Sequence, residues 1–382
     1  MKTFDVIIIG AGSIGVPLAF YLSEKGLKVG VLEKLASEGR GQNRAAIGGI
    51  RATHSDPSKI KICQLSIELL KNMKEEHGKE IDWIQGGYLY PVYDDISENN
   101  LKLLLSKQKV FKLNIDWVSP ERVNELVPGI NMNSLRGATF SPEDGSCSPL
   151  KVTGAYLSLA KQAGAEFYFN EEVISIESSK GKISSVTTSK DIYSADFYIN
   201  AAGAYAKETG KMTGLDIPVN PDCHEAGISE PVQPFFKPMV VDIRPDDKSL
   251  NYYFYQNKEG QVVFCITPRP PIVGKDTDNT SEFLPLVIKR MLTIYPRLRN
   301  LRIRRTWRGL YPMTPDGFPI VGFTKEIENM FLAAGMCGQG FMIGPGLGKI
   351  ISEIIADKSN KYDFITEQLS LYRNFTGTEM LK

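Results

Sequence analysis

The sequence predicts an α/β protein of two domains, one built on a parallel sheet and assembled from separated stretches of chain, the other on an antiparallel sheet. Three observations predict it. A chain of 382 residues exceeds the length at which one hydrophobic core usually keeps growing. Its first apolar run, residues 4–9, is rich in β-branched side chains and leads through Gly10-Ala-Gly-Ser-Ile-Gly15 into a helical pattern and a second strand, which is a βαβ unit. Two later stretches, 87–144 and 221–311, turn instead to short strand patterns broken by turns.

Taken in order, residues 4–9 read as a central strand covered on both faces, followed by a helix to about residue 25 and a strand at 28–32 that ends on Glu33. Asp56 caps the next helix and Pro57 suits its first position, with Ile60, Cys63, Ile67 and Leu70 as its apolar stripe. A strand at 88–93, a helix at 97–113 and a turn-rich stretch ending at Glu143-Asp-Gly145 read as an insertion. Helix 149–163 and strands 166–169, 173–176 and 197–202 resume the α/β pattern. Strands 252–255, 262–266 and 303–310 surround a helix at 281–295, and strand 331–335 leads through a glycine-rich turn to a helix at 347–356. The expected division is therefore 1–86, 145–220 and 312–382 for the discontinuous first domain, and 87–144 with 221–311 for the second.

Charge and cysteine content narrow the function. Lys plus Arg number 45 against 44 Asp plus Glu, a net charge of +1, so there is no global attraction to nucleic acid or to an anionic membrane surface. The five cysteines, Cys63, Cys147, Cys223, Cys265 and Cys337, are far apart and form no CxxC pair, which argues against a disulfide framework or metal cluster and for a reducing cytoplasm. His54, His77 and His224 have no ligand spacing, so no metal site is expected. The apolar run 6–22 resembles a leader or anchor, but three glycines and Pro17 interrupt it and no cleavage site follows. No membrane span is expected.

The turn at 10–15 carries the first chemistry. Coming straight after a strand and opening a helix, Gly10 allows the tight turn, Gly12 lets backbone approach a pyrophosphate, and Gly15 permits close helix packing. Free N–H groups at the helix start suit phosphate oxygens. Glu33 can accept hydrogen bonds from a ribose diol. This predicts a bound dinucleotide, and the βαβ unit alone does not distinguish FAD from NAD.

Four segments in the same order extend the pattern over essentially the whole chain: GAGSIG with Glu33, GGIR at 48–51, WRGLYPMTPDG at 307–317, and AAG at 333–335 continuing through CGQGFM at 337–342. In these the sequence resembles the D-amino-acid oxidase family of flavoenzymes, in its branch of sarcosine oxidases, glycine oxidase and the β subunits of heteromeric sarcosine oxidase and L-proline dehydrogenase. The resemblance implies a glutathione-reductase-like Rossmann domain that binds FAD, roofed by an antiparallel-sheet substrate domain. It implies FAD contacts from Ser13, Ile14, Lys34, Arg44, Val173, Ala202, Gly203, Gly335 and the run Gly338, Gln339, Gly340, Phe341 and Met342. Gly48 and Gly49 are expected to let backbone lie against the planar flavin. The helix start after Gly340 would place positive potential at the ring edge that becomes negative on reduction.

Departures from the family pattern bear on the substrate. Gly309 stands where some relatives link FAD covalently to cysteine, which implies dissociable FAD. Tyr311 replaces a carboxylate-binding arginine, Gln339 a histidine, and Met342 a lysine. Arg51 is then expected to anchor a substrate carboxylate, with Tyr311 and Tyr255 walling the pocket, since alternate rings of the run Tyr252-Tyr-Phe-Tyr255 share one sheet face. The arginines Arg297, Arg299, Arg302, Arg304, Arg305 and Arg308 are expected to be solvated. The implied reaction is oxidation of the carbon–nitrogen bond of a small amino acid or a secondary or N-methylated amine by hydride transfer to flavin N5. The lysine that speeds reaction with oxygen in relatives has no match in strand 262–266, so a dehydrogenase is expected. The same fold also supports oxidation of a hydroxy acid or glycerol 3-phosphate, or a non-catalytic FAD-binding subunit. A small-molecule substrate is implied, and a partner subunit or homo-oligomer stays open.

Overall fold

The computed structural model describes residues 1–379 and 381. Two eight-stranded sheets organise the chain. The first runs in the order Ile320–Phe323, Met330–Ala334, Ile192–Asn200, Lys2–Ile9, Val29–Glu33 and Glu166–Phe169, with a hairpin of Val173–Ser179 and Lys182–Thr188 attached beside Ile192–Asn200. All neighbours from Met330–Ala334 to Glu166–Phe169 are parallel. The central strand explains why the sequence reads as it does: Val6, Ile7 and Ile8 are fully buried because layers cover both faces. On one face lie the helices Gly15–Glu24, Pro57–His77, Pro149–Gln162 and Gly340–Ala356. Asp56 caps Pro57–His77 as expected, its side chain accepting from Lys59 N at 2.9 Å.

The last of these helices starts at Gly340, not at residue 347 as the sequence suggests. Pro345 and three further glycines made that stretch read as loop. They are needed by the packing: a Cβ on Gly344 would lie 2.0 Å from the Ser13 carbonyl oxygen, and one on Gly346 2.3 Å from that of Ile62. The hydroxyl of Ser66 accepts from Gly346 N at 2.9 Å, tying the proline turn to the neighbouring helix. Tertiary approach has overridden local propensity.

The second sheet runs in the order Ile303–Met313, Asn220–Pro231, Gln261–Pro268, Ser249–Gln256, Met239–Asp242, Tyr88–Val92, Gly137–Ser141 and Asp116–Val118. Every pair is antiparallel except Met239–Asp242 with Tyr88–Val92. Its register sorts side chains by face. Tyr252 and Phe254 point to an outer core closed by the helix Phe283–Ile294, while Tyr88, Tyr90, Met239, Val241 and Tyr255 form the inner cluster. Among the described residues no helix is long and apolar enough to cross a membrane, and no group of three or more His, Cys, Asp or Glu side chains is set to hold a metal ion.

Candidate active site

A cavity of about 610 Å³ lies between the C-terminal ends of the parallel strands and the inner face of the second sheet, the position at which open α/β sheets bind ligands. Its floor comes from the βαβ unit: Gly10, Gly12, Ser13 and Ile14 line it, with Glu33 and Lys34 from the end of the next strand, then Val173, Ala202 and Gly203. No described atom lies within 4 Å of a Cβ built on Gly12. Gly15 lies outside the lining, and its Cβ would meet the Gly10 carbonyl oxygen at 1.9 Å, so its role is the helix packing expected of a third glycine. The Glu33 carboxylate accepts from Ala11 N at 2.8 Å and Leu35 N at 2.9 Å, locking the strand end to the turn. Lys34 and the exposed Arg44 add positive charge at the rim. The helix Gly15–Glu24 has no side-chain cap; Val16 and Leu18 already donate to the Gly12 and Ile14 carbonyls, so the N–H groups suited to a ligand are those of the turn leading into it. The open space at Gly12, uncapped N–H donors and a fixed carboxylate fit a dinucleotide.

Gly48, Gly49 and the run from Gly338 to Met342 line the middle of the cavity. A Cβ on Gly49 would lie 2.0 Å from the Tyr88 hydroxyl, and one on Gly338 2.2 Å from the Tyr311 ring, so packing within the protein by itself already requires glycine at both positions. Gly335 lies outside the lining and packs on Thr314. Gln339 is buried on the cavity at the start of the helix Gly340–Ala356, and its Oε1 has no hydrogen-bond partner among the described residues, which leaves an acceptor for a polar group of a ligand.

The roof follows from the register of the second sheet. Asp222 pairs with Tyr311, His224 with Gly309, Ala226 with Cys265, and Cys265 with Tyr253, so these side chains share the inner face. The Tyr253 and Tyr311 hydroxyls are 2.8 Å apart and both contact the Cys265 thiol. Burial holds both phenols protonated far above neutral pH and pushes the thiol up to about 12. His224 stacks on Tyr311 with ring centres 3.7 Å apart, and burial lowers its pKa, so the imidazole is neutral. Tyr255 is not part of the lining. It lies on the same face, but its hydroxyl donates to the Ile47 carbonyl and braces the Gly48 loop; two residues along the strand, Tyr253 takes the position expected of it. Arg308 departs in the other direction: it is buried, pairs with Asp276 at 2.8 Å and reaches the cavity, while Arg297, Arg299, Arg302, Arg304 and Arg305 are exposed as expected.

Arg51 lines the cavity and is buried. Its guanidinium donates to the carbonyls of Thr53 and Leu381. Asp144 supports the loop from behind, accepting from Ala52 N at 2.9 Å and the Thr53 hydroxyl at 3.2 Å, and burial pushes its carboxyl up to about 7. Glu379 is held below the usual carboxylate range, against its burial, by Lys59 and Arg51. Sequence reasoning missed Asp144, Tyr253, Lys59 and the Glu379–Leu381 segment. Only Tyr253 left a signal, the alternation of the aromatic run. The site thus gathers Arg51, Tyr253 and Tyr311 on the lining of one cavity, beside a trough shaped for a dinucleotide.

Comparison with known proteins agrees with this geometry. The chain is 27% identical over 384 residues to glycine oxidase of Bacillus subtilis (strain 168), covering 95% of this chain and 96% of that one. It is 26% identical over 399 residues to the mitochondrial dimethylglycine dehydrogenase of Mus musculus, of which it spans 45%, so it is about half the length of that relative. Among solved structures, L-proline dehydrogenase from P. horikoshii superposes with a TM-score of 0.91 at 31% identity, covering 97% of this chain and 98% of that one. The profile of the DAO family, FAD dependent oxidoreductase, matches residues 5–354. The trough, its glycine loops and its roof are those of a flavoenzyme, and the chain belongs to the DAO family of FAD-dependent oxidoreductases.

Proposed function

We propose that the protein oxidises the carbon–nitrogen bond of a small amino acid, or of a secondary or N-methylated amine bearing a carboxylate, as a dehydrogenase. The observation that carries this reading is the buried Arg51 guanidinium on the cavity, beside Tyr88 and Tyr90, in a lining that also carries the Tyr253 and Tyr311 hydroxyls. Glycine oxidase and L-proline dehydrogenase, named among the relatives, act on such compounds. FAD, once bound, supplies the hydride acceptor at N5. The chain's own part is positional. Arg51 holds the carboxylate, Tyr311 and Tyr253 donate to polar atoms of the substrate, and the apolar inner face excludes water. In the roof the tyrosines stay protonated, and burial weakens the stacked His224 imidazole as a proton acceptor. The amine therefore reacts as its free base, and the imine formed hydrolyses or, for a cyclic substrate, remains in the ring.

Non-covalent FAD belongs to the same proposal. Gly309 offers no thiol, and burial raises the pKa of the two cysteines on the cavity, Cys265 and Cys337, which keeps them unreactive near neutral pH. The cofactor would be held by residues of 1–86, 145–220 and 312–382, and the substrate roofed by 87–144 and 221–311. The test is product analysis under turnover with an artificial dye: an N-methylated substrate must release formaldehyde and the demethylated amine, and proline the cyclic imine. Flavin that stays with acid-precipitated protein would refute the non-covalent assignment.

A further inference from the structure

The chain's last described residues run into the substrate end of the site. Arg373 pairs with Asp316 at 2.8 Å, and Gly377 lies against Phe318, bringing the segment beside the helix Pro57–His77. Glu379 is then buried: its carboxylate takes the ammonium of Lys59, with both side chains wholly buried, and accepts from the Ser55 hydroxyl at 2.6 Å. The Leu381 N–H donates back to the Glu379 carboxylate at 3.1 Å. The Leu381 side chain is buried among Tyr88, Tyr90, Met239 and Val241, all of which line the cavity, and its carbonyl accepts from the Arg51 guanidinium. A buried ion pair is costly to desolvate and contributes little net stability. Here it does something specific, fixing a strap so that a leucine packs behind the aromatic wall, outside the lining itself, and a neutral carbonyl takes one guanidinium nitrogen of Arg51.

Resting on the reading that Arg51 receives the substrate carboxylate, we propose that Leu381 is the specificity-determining residue of this site. Its side chain backs Tyr88, Tyr90, Met239 and Val241 and so sets how far that wall yields to what sits beside Arg51, and a carboxylate gains the guanidinium nitrogen that Leu381 holds only by displacing its carbonyl. The Glu379–Lys59 pair is the latch that sets how hard this is. An anion makes a stronger hydrogen bond to guanidinium than a neutral carbonyl does, so displacement is favourable but reduces apparent affinity by the fraction of time the strap is seated.

The experiment uses the full FAD-loaded chain and two probes that carry a carboxylate but no oxidisable amine, acetate and the larger tetrahydrofuran-2-carboxylate. Binding is read from perturbation of the flavin spectrum and, independently, by calorimetry. Leu381→Ala should lower the Kd of the larger probe by about ten-fold and that of acetate less. The paired change Lys59→Met with Glu379→Gln, which leaves no orphan charge, should act in the same direction. Unchanged or weaker binding of both probes in both variants overturns the proposal. Arg51→Ala separates the two levels: if it binds the probes like wild type, the reading of Arg51 fails, whereas Arg51-dependent binding that is insensitive to Leu381→Ala overturns the strap alone.

Discussion

Replacing Gly12 by alanine should separate cofactor binding from folding. The three glycines of the turn are constrained differently. A Cβ on Gly15 would lie 1.9 Å from the Gly10 carbonyl oxygen, a backbone atom that cannot move aside cheaply, whereas a Cβ on Gly12 meets no described atom within 4 Å and points to open cavity. FAD-free Gly12→Ala protein should therefore melt close to wild type, within about 1 kcal/mol. Gly15→Ala should lose about 1–3 kcal/mol through overpacking. FAD affinity should fall in Gly12→Ala because the methyl group holds the pyrophosphate away from the helix N–H groups. Losing one charge-assisted hydrogen bond at about 1.5–3 kcal/mol raises the Kd roughly ten-fold to about 150-fold. Quenching of flavin fluorescence on titrating FAD into the stripped protein gives the Kd, and circular dichroism gives the melt. A Gly12→Ala protein that binds FAD within three-fold of wild type, or whose stripped form is as destabilised as Gly15→Ala, would refute the reasoning.

Arg51→Ala, with FAD content unchanged, should depress kcat/KM for a carboxylate substrate by about 2–5 kcal/mol, roughly thirty-fold to a few thousand-fold. Arg51→Lys should recover only part, because a point charge does not reproduce the planar fork; steady-state kinetics at wild-type rates in Arg51→Ala would contradict the assignment. Asp144 should make stability fall with rising pH. Burial pushes its carboxyl up to about 7, while the unfolded chain releases that proton near 4, so the folded state binds more protons between the two values. Its contribution is full below about pH 4 and lost as pH rises through 7, by roughly 4 kcal/mol at about 1.4 kcal/mol per pH unit. Asp144→Asn should remove that component, and urea melts showing the same pH dependence in both proteins would contradict it. Turnover with a dye acceptor should exceed turnover with oxygen, since Cys265 and no lysine of Gln261–Pro268 reaches the cavity; equal rates would refute the dehydrogenase assignment.

What the sequence revealed, and what it hid, follows from how local each signal is. The strand Lys2–Ile9 and its glycine turn were legible because burial on both faces leaves an unbroken β-branched run, and because the turn's chemistry is contained in six consecutive residues. The start of the helix Gly340–Ala356 was not, because the glycines and Pro345 that argue locally for a loop are demanded by backbone contacts with residues far away in the chain. Tyr253 and Tyr255 share a sheet face, so alternation alone leaves them equivalent. Only the position of Ile47, whose carbonyl takes the Tyr255 hydroxyl, distinguishes wall from brace. Asp144 read as a turn residue in Glu143-Asp-Gly145 and is instead a buried acceptor for the Arg51 loop. The segment with Glu379 and Leu381 carried no pattern at all, since its partners Lys59, Ser55 and Arg51 are more than three hundred residues away.

We propose that this flavoprotein takes a hydride from the carbon beside an amine in a small carboxylate-bearing compound. The most direct measurement is anaerobic mixing of the FAD-loaded protein with sarcosine, glycine and L-proline, and separately with lactate and glycerol 3-phosphate, while following the 450-nm flavin band, which bleaches on reduction whatever the protein. The predicted result is bleaching by at least one of the amines and by neither of the hydroxy compounds. Bleaching by lactate or glycerol 3-phosphate alone, or by none of the five, would contradict it.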